Sequence, residues 1–208
     1  MKALLFCLLI LSNTGIGKRP VSYPKPGGVS ILTVDTSVST IKWQAEKPTG
    51  VHHGTIGIRS GSLTLHCGQL AGGSIVADMN SIIVADLQQP RKTQLENNLK
   101  GDNFFDAERF PLARLDILSV DHRSEASYHF VTISGNLMLH GITKRIVFTA
   151  NVSKSTITNF IAQADIVINR RNWGIATKNF KYDTFINTDI HLHVMLQADK
   201  MNDQITSL

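Results

Sequence analysis

The sequence predicts an all-β fold of about eight antiparallel strands, with one short helical insert at about residues 93–110. Three observations carry this. Apolar and polar residues alternate at period two over most of the chain from Ile31 onward. Turn-rich breaks such as Asp121–Ala126 and Ser153–Ser155 separate the alternating runs at hairpin spacing. One stretch, LENNLKGDNFFDAERFP from Leu95 to Pro111, abandons the alternation. Strict alternation over many strands means antiparallel sheet with one buried and one wet face, which closes into a barrel or stacks as a sandwich.

The chain has 208 residues, the size of a single domain. It opens with MKALLFCLLILSNTGIGK: one charge, a short apolar run from Ala3 to Leu11, then small and polar residues. That run is too short to span a bilayer and reads as a secretory signal peptide over residues 1–17, with an uncleaved anchor as the alternative. Export to the periplasm or the extracellular space is the expectation. Cleavage would remove Cys7 and leave Cys67 alone, so no intramolecular disulfide is expected. Residues 18–30, rich in Pro and Gly, read as an extended linker. Residues 31–198 form the barrel or sandwich domain, and 199–208 a tail.

The inward faces can be read strand by strand. Ile41 shares a face with Trp43, Ile56 with Ile58, and Leu63 with Leu65. Ile75, Ala77 and Met79 follow, then Leu115 with Ile117, and Val131, Ile133, Leu137 and Leu139. Ile146, Phe148, Ala150 and Val152 make the next face, then Phe160, Ala162, Ala164, Ile166 and Ile168. The last runs from Ile186 through Ile190, Leu192, Val194 and Leu196 to Ala198, with Met195 the exception on the opposite face. Several inward positions are small: Ala77, Ala150, Ala162 and Ala164, with Gly57, Gly72 and Gly73 nearby. An eight-stranded barrel with a small-residue interior is wide enough for a ligand. Trp43, Phe148 and Phe160 have the bulk to fill it, so periodicity leaves a cavity and a filled core both open.

In the insert, Thr93 with Glu96 three residues later makes a capping box, Leu95 and Leu99 share a helical face, and Gly101 stands at the C-cap. Adjacent phenylalanines on a strand would face opposite sides. On an irregular turn both can tuck inward, so Phe104, Phe105 and Phe110 are expected to close one end of an apolar interior.

The net charge of +5 is spread along the chain without a basic stripe or interleaved exposed aromatics, which argues against nucleic acid. A transient contact with an anionic membrane surface is the most the charge implies. No nucleophile elbow, P-loop or dinucleotide fingerprint is present, and no enzymatic activity is expected. His191 and His193 project from one strand face as a zinc pair could, yet parity turns them outward and no third ligand is placed beside them. His66 alternates outward as well, while Cys67 shares parity with Leu63 and Leu65 and is expected to be buried. His52 and His140 sit in turns, where they either bond a backbone carbonyl or meet a ligand. The loop Asn169–Asp183 interleaves Arg170, Arg171, Lys178 and Lys181 with Trp173, Phe180 and Tyr182. It is either a head-group loop at the rim or a long loop with an aromatic anchor.

Several motifs share an order and spacing with one family. They are W-x-x-x-K-x-T-G-x-H-x-G (Trp43, Lys47, Thr49, Gly50, His52, Gly54), SGSL at Ser60–Leu63, and GG-S-x-x-x-DM-x-SI (Gly72, Gly73, Asp78, Met79, Ser81, Ile82). They continue with L-K-x-D-x-FF-D-x-E-x-F-P (Leu99 to Pro111), G-N-L-x-L-H-G-I-T-K (Gly135 to Lys144) and R-x-x-W-G-I (Arg170, Trp173, Gly174, Ile175). From about Ile31 to Ala198 the chain resembles the YceI-like proteins, exported bacterial lipid-binding proteins with a lipocalin-like barrel, some of which bind polyisoprenoids. It departs from the pattern at Asn98, where the family has His, at the doubled His52-His53, and at Trp43, where many relatives have Phe.

The resemblance implies an eight-stranded lipocalin-like barrel whose insert caps one end. It implies non-catalytic binding or carriage of a long apolar lipid, polyisoprenoid-like or a fatty amide or acid, in the cell envelope. A filled-barrel envelope protein and a metal-dependent hydrolase are the alternatives. The expected ligand-binding residues are Trp43, His52, Ile58, Met79, Phe104, Phe105, Phe110, Phe148, Ala162, Ala164, Arg170 and Trp173. No catalytic or metal-binding residue and no cofactor is expected. Besides the lipid, the partners expected are a transient membrane surface and, as one assembly, a second copy in a homodimer.

Overall fold

A computed structural model describes residues 28–48, 50–102, 104–122, 129–176 and 187–200. The expected signal peptide, most of the linker and most of the tail lie outside the described residues, as do Lys178, Phe180, Lys181, Tyr182 and Ile186. The strands are β1 (Val29–Val34), β2 (Thr40–Lys47), β3 (Gly50–His66), β4 (Gln69–Val84), β5 (Leu112–Asp121), β6 (Phe130–Leu139), β7 (Ile142–Ser155), β8 (Asn159–Asn169) and β9 (Asp189–Asp199). One helix, α1 (Arg91–Lys100), lies between β4 and β5, and a 3₁₀ turn (Arg170–Trp173) follows β8.

All pairings are antiparallel, in the order β1-β3-β2-β9-β8-β7-β6-β5-β4, and β3 pairs with β4 to close the barrel. Closure removes the unpaired edges that an open sheet would expose. Nine strands occupy eight positions around the ring. β2 runs between residues 50–56 of β3 and 190–195 of β9, whereas β1 pairs with β3 at residues 62–66 and with β9 at 198–199. β1 thus continues the position of β2 along the ring.

The pairs Ile56/Ile58 and Leu63/Leu65 belong to one strand, β3. Their inward parity switches from even to odd because a register shift falls between Ile58 and Ser60, where β3 carries one residue more than β4. Each extra residue of a bulge turns the following side chains to the other face. The outward His66 ends β3, and Cys67 lies beyond it, in the turn, where it is exposed rather than buried. Its φ of +52°, followed by +79° at Gly68, is the left-handed pair of a tight two-residue hairpin turn. The tip of this hairpin lies against the β7–β8 turn, where the Ser155 hydroxyl donates to the Gly68 carbonyl.

The core forms two apolar clusters. One gathers Leu32, Val34, Ile58, Leu63, Leu65, Leu70 and Phe160, and the other Trp43, Met79, Ile82, Phe104, Trp173 and Ile175. Alternation on β5 to β9 follows the predicted faces throughout the described residues, and Met195 points outward.

Candidate ligand-binding cavity

The inward faces do not meet across the barrel. They enclose a cavity of about 550 Å³, within the range of roughly 300–1,000 Å³ usual for small-molecule pockets. β2 contributes Ile41, Trp43 and Ala45, and β4 contributes Ile75, Ala77 and Met79. Phe148 and Ala150 line it from β7, Ala162 and Ala164 from β8, and Leu192, Val194 and Leu196 from β9. The alanines cluster where β7 and β8 pair, with Ala150 opposite Ala164. Small side chains at facing positions leave the space that bulky ones would have closed.

Trp43 is buried and tied to the wall. Its indole N–H donates to the Ile83 carbonyl at 3.2 Å. A Cβ at Gly54 would stand 1.8 Å from that carbonyl oxygen and 2.9 Å from the indole, so only glycine admits this packing.

The insert forms the roof. α1 starts at Arg91, so Thr93 lies inside the helix instead of capping it. Its hydroxyl donates to Gln89 Oε1 at 2.7 Å, and the Glu96 carboxylate accepts from the Val84 amide at 2.9 Å. The expected capping box is therefore replaced by a tie between the helix and the end of β4. Gly101 does stand at the C-cap, but in extended conformation, with its N–H bonded to the Asn97 carbonyl.

Leu95, Asn98 and Leu99 share one helical face and all three line the cavity. After the helix the chain coils tightly. The amides of Phe104 and Asp106 both donate to the Gly101 carbonyl, and that of Phe105 donates to Leu99. Consecutive rings therefore face the same way. Phe104 and Phe105 both line the cavity, edge to face with centroids 4.9 Å apart.

Of the expected residues, Trp43, His52, Met79, Phe104, Phe105, Phe148, Ala162 and Ala164 line the cavity. Ile58, Phe110, Arg170 and Trp173 do not. Ile58 is buried in the other core cluster, among Leu32, Val34 and Leu63. Phe110 stacks outside the roof, with its ring centroid 4.6 Å from that of His140. Arg170 has no exposed surface; its guanidinium lies 5.5 Å from the Phe104 ring centre and donates to the Ile175 and Asn187 carbonyls. It stands behind the Phe104 ring and not in the cavity lining. Trp173 is buried too, its indole N–H bonded to the Leu137 carbonyl.

Sequence reasoning missed Leu95, Asn98 and Leu99 as lining residues, although the helical spacing pointed to them. It also missed Glu46 and Lys47 at the end of β2 and the partner of His52. His52 Nδ1 lies 2.6 Å from Asp86 Oδ2, and Asp86 Oδ1 accepts from the His53 amide at 3.0 Å. Burial pushes the Asp86 carboxyl up, but the His52 hydrogen bond, the His53 amide and the His52 charge together outweigh it and hold the carboxyl below its ordinary range. His140 bonds the Trp173 carbonyl. His193 bonds Asp165 on the outer face, and among the described residues no group of three or more His, Cys, Asp or Glu is arranged to hold a metal.

Residues 32–198 match the family described as the YceI-like domain. The chain belongs to the YceI-like family. Solved structures agree on the fold. BcnA of Burkholderia cenocepacia superposes with a TM-score of 0.65 at 14% identity, covering 79% of this chain and 98% of that one. A domain from Saccharophagus degradans, described as polyisoprenoid binding and implicated in plant cell wall breakdown, gives 0.62 at 15% identity over 84% and 100%. The Campylobacter jejuni YceI protein gives 0.51 at 16% identity over 96% and 100%. No curated protein matches the chain. Within this YceI-like barrel, Asn98 faces the cavity.

Proposed function

We propose that this chain binds and carries a long apolar lipid inside its barrel, in the cell envelope, without chemical turnover. The observation that carries the reading is the cavity of about 550 Å³, walled by alternating-strand side chains and roofed by Phe104 and Phe105. Membership in the YceI-like family and a structural neighbour described as polyisoprenoid binding support the choice of lipid class. Each methylene moved from water into such a cavity is worth roughly 0.8 kcal/mol. A lipid leaving a bilayer gains nothing comparable, because the bilayer is equally apolar, and ordering its tail opposes binding. Exchange near balance suits a carrier or buffer rather than an irreversible trap.

Titration of the delipidated protein with the uncharged apolar fluorophore diphenylhexatriene tests the reading. Saturable fluorescence enhancement at a one-to-one ratio is expected. No enhancement, or enhancement equal to that given by a filled-core protein of the same size, would contradict it.

A further inference from the structure

The outer wall of the barrel carries a second group of polar side chains, separate from the cavity. On β9, Ile190, Leu192 and Val194 line the cavity, so His191 and His193 stand on the opposite face. There the register sets two rows across β2, β9 and β8. Gln44, His191 and Val167 make one, and Lys42, His193 and Asp165 make the next. Together they line a shallow recess open to solvent.

β9 is paired on both sides along this stretch, to β2 and to β8. Its backbone is therefore fixed, and so is the spacing of the two histidines. Residues i and i+2 of a strand lie about 6.6–6.8 Å apart on one face. Two imidazoles on that spacing can both turn a ring nitrogen to one ion, at the roughly 2.0–2.1 Å of a metal–imidazole bond. Because the strand is ordered before the ion arrives, closing the chelate costs only side-chain freedom.

His193 is oriented as well. Its Nδ1 lies 2.7 Å from Asp165 Oδ1, which leaves Nε2 as the nitrogen free to bind. A carboxylate on the far nitrogen fixes the ring and strengthens it as a ligand. Parity in the sequence places the two histidines outward, but Asp165 lies 28 residues from His193, and only the β8–β9 register brings them together.

The local charge does not oppose a cation. Lys42 and Asp165 flank His193 from its two sides with opposite signs. The His193 and Asp165 side chains are 44% and 87% exposed, so water has room to complete a coordination shell. Among the described residues no group of three or more His, Cys, Asp or Glu forms a closed metal cage. The arrangement is thus an open two-histidine chelate. Imidazole ligands suit the late transition metals, whereas magnesium and calcium require oxygen.

We propose that His191 and His193 form a surface chelate for a late-transition-metal dication, with Asp165 as the positioning residue behind His193 and water filling the other positions. Copper(II) binds most strongly, following the intrinsic affinity order of divalent metals. The site does not depend on the lipid-binding reading, because it uses the outer side of the wall.

The test is calorimetric titration of copper(II), nickel(II) and magnesium into the untagged, metal-stripped full chain, in a non-coordinating buffer at pH 7.5. Copper(II) is expected to bind saturably, nickel(II) more weakly and magnesium not at all. The double substitution His191→Asn with His193→Asn removes one equivalent of copper(II) while the far-ultraviolet circular dichroism of the barrel is kept. Asp165→Asn keeps the stoichiometry and lowers the affinity roughly tenfold. Copper binding weakens at pH 5.5, where protons compete for the rings. Electron paramagnetic resonance of the one-to-one copper complex shows coupling to two imidazole nitrogens. No saturable copper binding, or an identical isotherm in the double variant, would overturn the proposal. Should that variant not fold, the spectrum of the unaltered chain decides, and coupling to fewer than two imidazole nitrogens overturns it. An unchanged affinity in Asp165→Asn removes Asp165 from its positioning role.

Discussion

The Arg170 guanidinium lies 5.5 Å from the centre of the Phe104 ring, with no part of Arg170 exposed. A cation buried this completely is sustained by what it donates to. Here the acceptors include the carbonyls of Ile175 and Asn187, one on each side of residues 177–186. One side chain thus ties Ile175 to Asn187 and backs the lid phenylalanine.

Arg170→Met removes the donors while keeping most of the volume. It leaves the carbonyl of the fully buried Ile175 without that partner, at a cost of about 1–3 kcal/mol. A loss of roughly 2–4 kcal/mol in urea unfolding is expected, together with faster release of bound probe. An unchanged midpoint would show that Arg170 does not hold the lid.

Gly54→Ala addresses the wall. Its Cβ would fall 1.8 Å from the Ile83 oxygen, which is backbone and cannot swing aside. The strands must separate or the Trp43 indole must leave its carbonyl, so a loss above about 2 kcal/mol is expected from thermal melts. Retention of the wild-type melting temperature would mean that β3 and β4 are not paired there as described.

How much of this was legible in the sequence depends on the range of the interaction. The faces of β5 to β9 could be read because parity is local and unbroken, as Phe160 to Ile168 show. The burial of Cys67 was misread because alternation does not announce where a strand ends. Thr93 and Glu96 have the spacing of a capping box, but the tertiary tie to the Val84 amide redirects Glu96. The His52–Asp86 pair spans 34 residues, and only the barrel brings it together. Arg170 looked like a rim cation because sequence shows charge and not depth.

The pair also sets a pH response. The Asp86 carboxyl is held below the ordinary value of 3.8, so the folded state binds its proton less readily than the unfolded state does. Its contribution to stability is therefore fully present above the unfolded-state value and lost as pH falls through the lower folded-state value. Asp86→Asn should flatten this acid limb of the stability curve, measured by urea unfolding from pH 2 to 7. An identical acid limb in both proteins would remove Asp86 from the response.

Ala162→Trp and Ala164→Trp fill the cavity from β8. Both positions face the cavity, so the added ring enters open space, and a cost below roughly 3 kcal/mol is expected. Probe affinity should fall at least tenfold while the far-ultraviolet circular dichroism of the barrel is kept. Wild-type affinity in both variants would place the ligand elsewhere.

The most direct measurement is native mass spectrometry of the protein purified from its own host, before and after organic extraction. The account predicts an added mass before extraction that disappears afterwards, with the released species recovered in the organic phase as a long-chain lipid. A single mass equal to the bare chain in both spectra, with nothing in the extract and no uptake when lipid is added back, would contradict it.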